Sequence, residues 1–216
     1  MDLKMKILSI ETSGIICGIT ILEDKKIIEE ISLDNGLTHS ETLMPLIKKT
    51  FEEINLKLND IDLIVCDKGP GSFTGIRIGV TIAKVYAWAL KLDITTVSAL
   101  EAMSISCEEE TNHVPIIDAR RGYVFAAIYD KDSNVIFKPK HILVEEFDKE
   151  LEKLDDYVVI SNNELERYDT ILKYDPNISK IVEKVMNRKS VNPHAVNPEY
   201  LKLTEAEESR LNDNRV

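Results

Sequence analysis

Between residues 5 and 33 the apolar positions fall into three short runs. These are MKILSIE, then GIICGITIL after a Thr12-Ser13-Gly14 turn, then KKIIEEISL after Glu23-Asp24. Runs of this length bounded by turn residues predict an antiparallel meander. A helix is predicted next, opened by Thr38 with Glu41 three residues on, the capping-box spacing. At the helical period Leu43, Met44, Leu46, Ile47, Phe51, Ile54 and Leu58 cover an arc of about 160°, wider than one core contact needs. Pro45 lies in its first turns and predicts either a kink or a start nearer Thr42.

IDLIVCD (61–67) is a continuous apolar run of strand length that feeds the loop KGPGSFTGIRIG. A second helix is predicted over 75–91, a strand over 94–97 and a short helix over 98–106. The polar stretch CEEETNH (107–113) is the predicted boundary between lobes. Beyond it, VPIID (114–118) and YVFAAIY (123–129) read as strands joined by Ala119-Arg120-Arg121-Gly122, with extended stretches near 134–144 and 157–161. Helices are predicted over 145–154, 163–173 and 178–188. This divides the chain into an N-terminal lobe, 1–106, which segment 200–216 can rejoin, and a C-terminal lobe, 107–199. Each lobe opens with paired strands followed by helices, the pattern expected of a duplicated α/β unit.

The 216 residues, 44% hydrophobic and 30% charged, are those of a globular protein large enough to be an enzyme. Asp and Glu number 38 against 27 Lys and Arg, a net charge of -11 that disfavours a free-standing tRNA or DNA binder. Three widely spaced cysteines without a Cys-x-x-Cys argue against a disulfide framework and structural zinc. Glu11, Thr12 and Ser13 interrupt the first apolar run before it reaches membrane-spanning length, so a reduced, cytoplasmic protein with no membrane association is predicted.

Candidate chemistry gathers in the turns. Gly69, Gly71 and Ser72 lie between a buried strand and a helix start, where glycines and free N–H groups cradle phosphate or, equally, let strand and helix pack closely. Thr12 and Ser13, beside Glu11, offer hydroxyls to a metal-bound phosphate or simply form a polar hairpin turn. Arg120 and Arg121 either fork onto a phosphate or carboxylate or pair with Asp118. The four histidines include no pair at helical spacing, and there is no Gly-x-Ser-x-Gly, so neither a metal set nor a catalytic nucleophile stands out. On the second helix Arg77, Thr81, Lys84, Trp88 and Lys91 form a stripe about 80° wide that holds the chain's sole tryptophan. Arg77, Thr81, Lys84 and Trp88, with Leu43 and Ile47 at the edge of the first helix, are therefore predicted to face a partner. The alternative is that the second lobe covers Trp88.

Taken in order, IETS, THSETLMPLI, GPGSFTGIRIG, SALEAM, IDARRGYVFAAIY and NPEYLKLTEAE resemble the TsaB (YeaZ) family of bacterial tRNA threonylcarbamoyladenosine biosynthesis proteins over essentially the whole chain. The resemblance implies an actin/sugar-kinase/Hsp70-like fold of two similar α/β lobes, each a mixed sheet flanked by helices. It also implies a non-catalytic subunit that binds the catalytic subunit TsaD and the ATPase TsaE, reaches tRNA only through the complex, and forms a homodimer when alone. No cofactor of its own is expected, with ATP bound in the assembled complex. The sister catalytic family carries a His-x-x-x-His pair where this chain has Ala99 and Met103, neither able to replace an imidazole. Tyr123 stands where the family usually has Glu, and Glu11 where many members have Asp. The competing expectation is a stand-alone small-molecule kinase or metallopeptidase on the same fold.

Overall fold

The computed structural model describes residues 4–14, 17–33 and 39–202. β1 (Lys6–Glu11), β2 (Cys17–Glu23) and β3 (Lys26–Leu33) form the antiparallel meander. β4 (Leu63–Asp67) joins β1 in parallel and β5 (Asp93–Val97) joins β4, giving the order β3-β2-β1-β4-β5. Being covered on both faces, β4 is apolar almost throughout and buried along its length.

Two helices cover one face of this sheet, α1 (His39–Glu53) and α2 (Phe73–Leu90). Leu43, Leu46, Ile47 and Phe51 of α1 share a core with Ile76, Val80, Ala83 and Ala87 of α2. The capping role expected of Thr38 lies outside the described residues. α1 starts at His39 rather than near Thr42, with Pro45 inside it. A proline there removes a single helical hydrogen bond, and its ring sits on the exposed side while Leu43, Leu46 and Ile47 pack inward. α2 begins at Phe73, two residues before the predicted start, because the Ser72 hydroxyl accepts from the Gly75 N–H at 3.2 Å and caps it.

The second sheet repeats the first. β6 (Asn112–Asp118), β7 (Tyr123–Tyr129) and β8 (Val135–Leu143) form a meander, and β9 (Tyr157–Ser161) and β10 (Ile171–Lys173) add in parallel, giving β10-β9-β6-β7-β8. α4 (Val144–Leu151) packs on it through Phe147 and Leu151. The helix predicted over 163–173 does not form. Leu165, Tyr168 and Ile171 pack instead against the second-lobe core from a loop and from β10. The duplicated unit thus lacks its counterpart of α2.

α3 (Ala99–Ser106) lies between the sheets. Its Ala102 and Ile105 pack with Val65 and Val97 of the first lobe, and its Leu100 and Met103 with Ala127, Tyr129 and Ile160 of the second. α5 (Ile178–Val185) belongs to the first lobe, since Ile178, Ile181, Val182 and Val185 pack with Ile7, Leu22, Leu63 and Val65. The chain therefore returns near residue 178 and not near 200, correcting the predicted division at 199. The free face of the first sheet needed an apolar helix, and α5 supplies the stripe. No helix among the described residues is long and apolar enough to cross a membrane.

Candidate functional site

The C-terminal ends of β1 and β4 bring two carboxyl groups together. Glu11 Oε1 accepts from the Ser13 N–H at 2.7 Å and from the Ser13 hydroxyl at 2.6 Å, closing the first turn on itself. Asp67 Oδ1 accepts from the Gly69 N–H at 2.7 Å, while Oδ2 is buried with no hydrogen-bond partner among the described residues. Burial first, and the Glu11 charge second, push the Asp67 carboxyl well above the usual carboxylate range. Burial likewise raises the Cys66 thiol, and takes Cys17 up to about 11, so neither is a thiolate nucleophile at neutral pH.

The structure brings Thr12 and Ser13 against the Gly69–Ser72 loop, and the contact is backbone on backbone. The Ser72 N–H donates to the Ser13 carbonyl at 2.7 Å. A Cβ on Gly71 would lie 2.2 Å from that same carbonyl oxygen, one on Gly75 2.2 Å from the Thr12 carbonyl oxygen, and one on Gly79 2.2 Å from the Thr12 hydroxyl. These glycines let the loop and α2 close onto the first turn. Of the two uses open to the motif, close packing is the one this geometry displays. The N–H groups of Gly69, Ser72 and Gly75 are all engaged within the protein.

At the other turn Arg120 pairs with Asp118 at 3.1 Å, and Arg120, Arg121 and Gly122 all have positive φ. Tyr123 stacks on His141, ring centroids 4.6 Å apart. Ala99 and Met103 are buried at the start and middle of α3 and serve as core. Among the described residues no three His, Cys, Asp or Glu side chains converge as a metal site.

On the outer side of α2 the predicted stripe divides. Arg77, Thr81 and Trp88 are exposed, with Trp88 at 63%. The second lobe does not cover Trp88; its neighbour is His194, 6.1 Å away between ring centroids, from the segment 191–202. That segment runs beside α2, and Lys84 Nζ donates to the His194 carbonyl at 3.4 Å. Leu43 and Ile47 are 0% exposed and cannot face a partner. The wide apolar arc of α1 that suggested them is absorbed by two contacts, the sheet and α2. Besides Trp88, the large exposed apolar residues of the helix pair are instead Met44, Phe73 and Val85, with Tyr86 Oη donating to Met44 Sδ across the seam. Asp67, His194 and Tyr200 were not read as site residues; the NPEY motif was the one signal that pointed to the last.

Two α/β lobes of matching connectivity, joined across a helix and with the first two strand-end turns drawn together, define a protein of the actin/sugar-kinase/Hsp70-like class. The family model described as "TsaD: tRNA N6-adenosine threonylcarbamoyltransferase" matches residues 34–158. The chain belongs to this family, in its TsaB (YeaZ) branch. The tRNA threonylcarbamoyladenosine biosynthesis protein TsaB of Bacillus subtilis is 28% identical over 94% of this chain and 96% of that protein. Its Escherichia coli namesake is 32% identical over 62% of this chain and 58% of its own length. In structure, the YeaZ protein of Pseudomonas aeruginosa superposes with a TM-score of 0.71 at 18% identity, covering 91% of this chain and all of that one.

Proposed function

We propose that this protein is an accessory subunit, without a catalytic centre of its own, for forming the threonylcarbamoyl group on adenosine in tRNA. It acts in the cytoplasm by binding a TsaD-type catalytic subunit together with a TsaE-type ATPase. ATP is bound in the assembled complex, tRNA is contacted through it, and the chain self-associates when the partner is absent.

The observation that carries this reading is the burial of Ala99 and Met103 within α3, where they pack between the sheets. A transferase of this class needs a group that activates the electrophile, and a methyl group and a soft thioether do not replace imidazoles as ligands for a hard or borderline metal that would do so. The name of the Bacillus subtilis relative, matched over nearly its full length, supports the pathway, and the exposed Met44, Phe73, Val85 and Trp88 on one helix pair support binding to another protein.

Reconstitution tests it. tRNA modification from purified subunits is expected to require this chain, and the chain alone is expected neither to transfer threonylcarbamoyl nor to turn over ATP or cleave peptides. Modified adenosine formed by this chain alone would overturn the proposal.

A further inference from the structure

The segment 191–202 lies along α2 from its C-terminal end toward its N-terminal end. Val196 is buried in the first-lobe core, and the Glu199 N–H donates to the Lys68 carbonyl at 2.8 Å. Glu199 also pairs with Lys68 at 3.2 Å. These anchors set Tyr200 over the first turn of the helix, its ring centroid 5.6 Å from that of Phe73.

Arg77 is held by both rings. Its guanidinium carbon lies 3.8 Å from the Phe73 centroid and 5.4 Å from that of Tyr200, and its Nε donates to Tyr200 Oη at 2.6 Å. With Nε occupied and the plane fixed, the outer Nη1 and Nη2 are left as a fork. Among the described residues neither has a hydrogen bond or a carboxylate partner, although the chain carries 38 acidic residues. An arginine ordered in advance has already lost much of the side-chain freedom that binding would otherwise cost. Its end-on fork matches a carboxylate, which it grips through two parallel hydrogen bonds.

We infer that Arg77, fixed by Phe73 and Tyr200, is a preformed carboxylate receptor that takes an Asp or Glu side chain of the catalytic subunit docked on α2. The inference rests on the accessory-subunit reading and adds the chemistry of the contact. A protein carboxylate is favoured over an RNA phosphate for two reasons. The fork lies against exposed Phe73 on a helix that also exposes Val85 and Trp88 about two to three turns further on, the composition of a protein interface, and the net charge of -11 opposes a polyanion. Segment 191–202 is thereby part of the partner surface, since Tyr200 sets the orientation of the fork.

The test measures the dissociation constant of the full chain for the purified catalytic subunit at low and high salt, with melting temperatures recorded for every variant. Arg77→Met and Arg77→Lys are each expected to weaken binding about tenfold or more at low salt, with the salt dependence flattened for Arg77→Met. Lysine keeps the charge and lacks the fork, so its failure to rescue reports bidentate geometry. Tyr200→Phe, which keeps the ring and removes the hydroxyl, is expected to weaken binding several-fold with an unchanged melting temperature. If Trp88→Ala weakens association while Arg77→Lys binds like the wild type, the receptor is wrong and the accessory reading stands. If the wild type does not associate with the catalytic subunit, the accessory reading fails and the receptor with it. If Arg77→Met lowers tRNA retention by the complex and leaves subunit affinity unchanged, the fork binds phosphate and the inference is overturned.

Discussion

Gly79 on α2 faces Thr12 in the first turn so closely that a Cβ at residue 79 would lie 2.2 Å from the Thr12 hydroxyl. Thr12 is fully buried, and its neighbours in the turn have no room to retreat without breaking the Ser72 to Ser13 hydrogen bond. Gly79→Ala and Gly75→Ala are each expected to cost about 2 kcal/mol, in the range for overpacking a tight core contact. Urea denaturation measures it. Variants as stable as the wild type would show that the turn yields, and that the glycines serve some purpose other than close packing.

Asp67 makes stability depend on pH. Its folded pKa is raised above the ordinary value it recovers on unfolding. The folded chain therefore holds the proton more tightly, and the contribution of Asp67 is complete below the ordinary carboxylate range and is lost as pH rises toward the folded pKa. Asp67→Asn keeps an acceptor for the Gly69 N–H and removes the titration. Its urea midpoint relative to wild type is expected to rise as the pH is raised above the ordinary carboxylate range. Parallel profiles there would refute the assignment.

His113 ties α3 to the second sheet. Its Nε2 lies 3.0 Å from the Glu109 carbonyl, which can only accept, so Nε2 carries the proton and Nδ1 accepts from the Ser104 hydroxyl at 3.0 Å. Ser104 Oγ also lies 3.0 Å from Ser133 Oγ. Both His113 and Ser104 are buried. His113→Phe is expected to destabilise by about 1–3 kcal/mol, since it leaves the Glu109 carbonyl without its imidazole donor and the Ser104 hydroxyl without its ring acceptor. A double-mutant cycle with Ser104→Ala is expected to give a coupling energy of about 1 kcal/mol, and additive losses would show that the two side chains act separately.

Trp88 is expected to matter for association and little for folding. Exposed at 63%, with His194 as its aromatic neighbour, it contributes little to the core. Trp88→Ala is expected to weaken binding to the catalytic subunit by about 2 kcal/mol and to leave the melting temperature nearly unchanged. Calorimetric titration beside a thermal melt separates the two effects, and a large fall in melting temperature with full affinity would place Trp88 in the core after all.

Most strands, and the helices built on strong patterns, were legible in the chain because short apolar runs and capping residues act locally. β1 to β7 fall where the runs fall, and Ser72 starts α2 through a hydroxyl three residues from its target. The order of the motifs also carried the family. Tertiary structure decided what local pattern leaves open. Leu165, Tyr168 and Ile171 have helical spacing, yet they reach the second core from a loop and a short strand, because a core rewards burial whatever the backbone that delivers it. Leu43 and Ile47 looked like the edge of an exposed arc until α2 closed over them. The glycines at 71, 75 and 79 acquired a meaning only when a turn some sixty residues earlier in the chain came to rest against them. The fork of Arg77 exists because Tyr200, 123 residues away in sequence, returns to hold it. Periodicity and capping report contacts within a few residues; a contact between distant segments depends on how whole elements pack, and that is settled only when the chain has folded.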